Sequence, residues 1–203
     1  MLAAMSDDRV LPPPPPPSSS ALLRRPSTET EFWAGLFLDL TVRVEWLGQA
    51  LDAVPGGDAS APALARLRSY ARALEELHRA LERVQGYRAD PRLRPLFSLD
   101  GPLAAYLSRL YGWCDEIGED FERMAVALRR RQPTTIVFSH RAVNGSYVQF
   151  EGLVAAMRSV VEVSRELHGG RDEQVWCAFD AHLEELVWAT EWLHMTLARQ
   201  PGE

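Results

Sequence analysis

Residues 103–128, LAAYLSRLYGWCDEIGEDFERMAVAL, decide the fold class. Leu103, Leu107, Leu110, Cys114, Ile117, Phe121, Met124 and Leu128 recur in alternating steps of four and three without a miss. Steps of that size return to one side of a 3.6-residue helix, so these side chains form a continuous packing stripe. Pro102 suits the first turn of this helix, Asp100 is placed to cap it, and the arginine run Arg129 to Arg131 before Pro133 suits its end.

The same signals recur outward from that segment. Thr28 and Glu31 have capping-box spacing and predict a first helix over 29–53, with Trp33, Leu36, Phe37, Leu40, Val44 and Leu47 on its apolar face and Pro55-Gly56-Gly57 as its stop. A second helix from about Pro62 carries Leu67, Ala71, Leu74, Leu77, Leu81 and Val84 and ends at Gly86. Tyr87 to Leu99, with Pro91 and Pro95, reads as a connector. A fourth helix over 146–168 closes on Gly169-Gly170, and a fifth spans 172–199. Thr134 to Phe138 is a β-branched run too short to make a sheet alone. The expected class is all-α, a compact bundle of about five helices forming one domain over 28–200.

Residues 1–27 differ in kind. Pro12 to Pro17 followed by Ser18 to Ser20 favour extended polyproline conformation and cannot build a core, which predicts a disordered tail. Such a tract serves as a spacer or as a docking site for a proline-reading module.

Composition narrows the function classes. With 46% hydrophobic and 25% charged residues the balance is globular, and a net charge of -6 with pI near 5.4 argues against nucleic acid as a partner. Every basic residue is arginine, which removes lysine Schiff-base chemistry and the P-loop lysine. Cys114 and Cys177 lie among apolar neighbours and imply a reducing, cytoplasmic setting. The start carries Asp7 and Asp8 and no secretory pattern, and no apolar run is long enough for a transmembrane segment.

Two Glu-x-x-His pairs, Glu75/His78 and Glu191/His194, have the spacing of di-iron carboxylate bundles, with Glu45 and Glu116 or Glu119 as further ligands. Against this oxidoreductase alternative, both glutamates fall roughly 105–115° from the centre of their helix's apolar face, away from a bundle axis. Ser139-His140 and Ser146 lack a nucleophile frame, and Asn144-Gly145 reads as a turn, not a phosphate loop. The expectation is a non-enzymatic protein without cofactor. Trp176, Trp188 and Trp192 crowd the last helix and Trp33 and Trp46 the first, more bulk than one narrow stripe buries; the surplus is either core or an exposed aromatic groove. The same surplus leaves a self-associating homo-oligomer open.

Gly118 breaks the pattern of residues 103–128. It costs about 1 kcal/mol relative to alanine inside a helix and sits beside Ile117, where it allows a second helix backbone to come close. Glu119 and Asp120 flank that contact with charge suited to an apposed arginine.

With Leu110, Cys114, Ile117 and Phe121 as four hydrophobics, Gly118 as the small residue and Glu119 as the acid, the segment resembles the third homology motif of the Bcl-2 family. Cysteine stands where that family has leucine, and glutamate where it has aspartate. Ala142-Val143-Asn144-Gly145 is similar to the family's first motif without its tryptophan and arginine. Leu36 to Leu40 is similar to the N-terminal helix, and Trp188 and Trp192 fall where the second motif would lie. The resemblance implies a regulator of apoptosis that binds amphipathic death-motif helices in a hydrophobic groove; the usual membrane tail is absent.

Overall fold

A computed structural model describes residues 28–54, 61–130, 140–170 and 174–198, and among these it is all-α. Five long helices carry the fold: α1 (Glu29–Asp52), α2 (Ala61–Gln85), α4 (Pro102–Arg129), α5 (His140–His168) and α6 (Gln174–Ala198), with the short α3 (Arg94–Phe97) between α2 and α4. The expected tail and the Thr134–Phe138 segment lie outside the described residues.

Local chemistry sets several of the boundaries. Thr28 is extended, and its Oγ1 accepts from the Glu31 amide at 3.2 Å, which satisfies one of the amides left over at the start of α1. At the other end of the chain, α5 stops where Gly169 and Gly170 take φ of 57° and 73°, and the Gly169 amide donates to the Arg165 carbonyl at 3.1 Å. The start of α4 differs from expectation: Gly101, not Asp100, is the capping residue, and it makes no side-chain bond. A Cβ on Gly101 would meet the carbonyl oxygens of Leu96, Pro95 and Ser98 at 2.7–2.9 Å, so the turn into α4 needs glycine for space.

Two further departures concern the middle of the chain. The connector after α2 contains a 3-10 turn (Gly86–Ala89) and α3, and Leu93, Leu96 and Phe97 are fully buried. Pro91 lies in a turn and Pro95 in the first turn of α3, and neither keeps the segment from contributing to the core. The α5 helix also begins at His140 and runs through Asn144 and Gly145, so the turn expected there is continuous helix. One asparagine and one glycine cost a helix on the order of 1 kcal/mol each, which a long helix packed on a neighbour can absorb.

Side-chain pairs fix how the helices lie. Phe37 faces His78, while Arg43 and Tyr70 meet over Gly118, so α1 and α2 are antiparallel and both reach α4. The last helix returns alongside the second. Tyr87 bonds His182 at 2.9 Å, Arg83 pairs with Glu185 at 3.2 Å, and Arg72 lies 6.0 Å from the ring of Trp192, an antiparallel match of α2 with α6. The Tyr106 hydroxyl meets Thr190 Oγ1 at 2.7 Å and ties α6 to α4 from inside, and burial pushes that phenol's pKa up. One end of the bundle is closed by aromatic rings: Phe32, Trp33, Phe97, Phe179 and Tyr87 touch in sequence, and the Trp33 indole donates to the Phe97 carbonyl at 3.2 Å.

Candidate functional site

The stripe on α4 is interior. Leu110, Cys114, Ile117 and Phe121 are all buried, and Tyr70 of α2 stacks on Phe121, the rings 3.9 Å apart and nearly parallel. Gly118 is buried with them. A Cβ there would lie 2.7 Å from Arg43 Nη1 and 3.4 Å from the Tyr70 hydroxyl, so the missing side chain makes room for this chain's own guanidinium.

Arg43 is the centre of that arrangement. Only 4% of its side chain is exposed, and its Nη1 donates to Glu122 Oε1 at 2.9 Å. An ionised guanidinium taken from water without a carboxylate costs several kcal/mol, far more than the ~1 kcal/mol of a helical glycine. The glycine is therefore the small concession that lets the pair form. An arginine does approach this part of α4, as the flanking acids suggest, but it comes from α1 and pairs with Glu122. Glu119 and Asp120 instead hold Arg123 of their own helix at the surface. Arg43 was legible in the sequence, since it stands in the row Leu36, Leu40, Arg43, Leu47, Ala50, where every other member is apolar and buried.

The four residues of the di-metal alternative do not converge. Glu75 is bonded to Arg79 at the surface, and His78 Nε2 meets Thr41 Oγ1 at 2.9 Å on the α1 side. His194 points to the opposite side of the bundle, stacked on Phe150 at 3.7 Å and 7° with Trp113 beside it, and burial lowers its pKa. Glu191 is exposed. Among the described residues no group of three or more histidines, cysteines, aspartates or glutamates could hold a metal ion. The helical spacing is right, but the faces are not.

The tryptophans divide. Trp33, Trp46, Trp113 and Trp176 are buried in the core, which accounts for the aromatic excess of α1. Trp188 is 57% exposed and Met195 49%, and Trp192 is half-buried with its ring 5.2 Å from that of Trp188. These three residues are spaced i, i+4 and i+7, so they form an apolar stripe along the outer face of α6. The helix supplies Asp180, Glu184, Glu185 and Glu191 and no arginine, and Glu184 and Glu191 are exposed on the same face. Met195 completes the stripe, and its i+7 spacing from Trp188 is the signal in the sequence that places it there. A smaller exposed pair, Leu38 and Val42, lies on α1. Side chains at Asn144 and Gly145 are not among those described.

Compared with known proteins, the chain matches no family model, no curated protein and no solved structure. Among the described residues, no helix is long and apolar enough to cross a membrane.

Proposed function

We propose that this chain is a non-enzymatic helical interaction module that binds an amphipathic helix, and that the contact is made by Trp188, Trp192 and Met195 on the outer face of α6. The observation that carries the reading is the exposure of Trp188 beside a second tryptophan one turn away. A large apolar side chain gains about 1.5–3 kcal/mol on full burial, and tryptophan is the residue most enriched among dominant interface contacts. A two-turn row of such residues is the counterpart of the i, i+4, i+7 anchors that a docking helix presents. The acids on the same face favour a basic helix. Regulation of apoptosis, which the Bcl-2 resemblance implies, is one role such a module could serve, with the buried α4 stripe acting as scaffold.

Fluorescence polarisation tests this with two labelled probes, a death-motif peptide and a Leu/Arg amphipathic 20-mer. Binding of either, weakened about tenfold or more by Trp188→Ser, supports the reading, since such a loss is ~1.4 kcal/mol or more and typical of a dominant contact. Binding to neither, or binding indifferent to Trp188, removes it. Sedimentation at several concentrations separates the competing use of the same stripe as a contact between two copies of the chain.

A further inference from the structure

We infer that the α6 stripe receives a helix whose two polar borders carry opposite charge, basic over Glu184 and Glu191 and acidic over Arg72, and that this polarity sets the direction in which the helix lies. The inference rests on the reading of the stripe as a contact face and names the chemistry and orientation of its occupant.

The neighbours of α6 fix which border is which. Successive residues of a helix advance by about 100°, so relative to Trp188 the residues Trp192 and Glu185 lie about 40–60° to one side, and Glu184 and Glu191 about 40–60° to the other. The first side faces α2, where Arg72 lies 6.0 Å from the Trp192 ring, Arg83 pairs with Glu185 at 3.2 Å and Tyr87 bonds His182 at 2.9 Å. The second faces α5, since Ser164 donates to Asp180 at 3.2 Å and Phe150 stacks on His194. The stripe therefore runs between a basic border supplied by α2 and an acidic border supplied by α6 itself.

The charges on both borders are open to a partner. Among the described residues Glu184 and Glu191 are exposed and neither forms an ion pair, and Arg72 is exposed with no carboxylate within ion-pair distance. Arg68, one turn before Arg72, is exposed and also without a carboxylate. The next arginines along α2 are already held, Arg79 by Glu75 and Glu76, and Arg83 by Glu185. An exposed ion pair changes affinity by about 1.4–5-fold, and like charges brought together cost a similar factor. Borders of opposite sign thus choose between arrangements that the apolar row alone leaves equivalent.

Direction follows because turning a docked helix end for end exchanges its borders. With Trp188 at heptad position a, Trp192 is at e on the α2 side, and the g side is the one that faces α5 and carries the acids. Parallel helices set the e border of one against the g border of the other. A partner with arginine at e and glutamate at g therefore lies parallel to α6, and one with the reverse layout lies antiparallel.

The test measures binding of labelled 20-mers to the full chain by fluorescence polarisation, with the peptides at nanomolar concentration so that they stay monomeric. All have leucine at a and d; one has arginine at e and glutamate at g, one the reverse, and one the same charges mixed on both borders. The two segregated peptides are expected to bind about 3–10-fold more tightly than the mixed one. Glu184→Arg with Glu191→Arg should weaken both segregated peptides about fivefold or more, and a peptide with glutamate on both borders should recover the binding, which an unfolded variant would not allow. A photo-crosslinker at the peptide N-terminus, read by mass spectrometry, should mark the Ala181 end of the stripe for the first layout and the Met195 end for the second. Equal affinity of the three peptides, or crosslinks at the same end for both layouts, would overturn the inference and leave the contact face standing. Binding by none of them removes both. Self-association that sedimentation detects and Glu191→Arg abolishes would assign the face to a second copy and overturn the inference as well.

Discussion

The two regions of this molecule that invite a partner, the α4 segment around Gly118 and the outer face of α6, carry similar residues and end in opposite environments. Both present an apolar row at helical spacing beside acids. On α4 the row is buried and the glycine is filled by Arg43 from α1. On α6 the row faces outward, with Trp188 more than half exposed. What separates them is the complementary helix. The chain supplies a residue, Arg43, matched in charge to Glu122 and in shape to Gly118, and it supplies nothing comparable over Trp188 among the described residues. A small residue with neighbouring acids thus indicates a close approach without saying whether the approaching group is in the same chain.

The largest effect is expected from breaking the interior pair. Glu122→Leu removes the carboxylate that Arg43 Nη1 donates to and should destabilise the fold by up to about 3–5 kcal/mol, read by urea denaturation. Arg43→Met combined with Glu122→Leu should recover most of that loss, because paired replacement of a buried ion pair by apolar residues is often near neutral. A double variant no more stable than the single would mean that the pair does not organise this region. Gly118→Val comes next, at about 1–3 kcal/mol, since its side chain enters the space of the guanidinium. If instead Gly118→Val were neutral in stability but altered peptide binding, the contrast between the two regions would be reversed.

A smaller effect is tied to acidity. His194 is stacked on Phe150, and burial depresses its folded pKa below the ordinary histidine value. The unfolded chain then takes up a proton more readily, so stability is full above about pH 6.5 and declines as pH falls through that value. His194→Gln should flatten this part of a thermal-melt profile between pH 7 and 5, while an unchanged slope would place its origin elsewhere. The smallest stability change belongs to the outer stripe: Trp188→Ser should change the unfolding free energy by no more than ~0.5 kcal/mol, as for an exposed site. A loss several times larger would show that Trp188 belongs to the fold and not to a contact face.

Much of the fold was legible because periodicity reports which residues share a face. The stripe from Leu103 to Leu128, the Thr28 cap and the Gly169-Gly170 stop all follow from local spacing, and the structure has them. The connector was legible as such, but not its burial, because Pro91 and Pro95 do not say on which side Leu93, Leu96 and Phe97 pack. The start of α5 was misread because Asn144-Gly145 is a strong turn signal that a long packed helix overrides. The site was less legible for a general reason. Spacing fixes the face on which a residue lies, but which helix covers that face depends on long-range pairing. Glu75 and Glu191 could be rejected as ligands from their angle alone, whereas the burial of Gly118 depended on α1 crossing it.

The pairing of α2 with α6 also governs how the protein must be made. Tyr87 and His182 are separated by 95 residues, so during synthesis the apolar flank of the second helix emerges long before its cover. Until α6 has emerged, the side of α2 that carries Arg72, Arg83 and Tyr87 lacks its final cover, and the nascent chain presents that surface to chaperones and to other nascent chains. Completion of the fold thus waits on α6, and a chain truncated before it is expected to aggregate because the α2 face it pairs with stays uncovered.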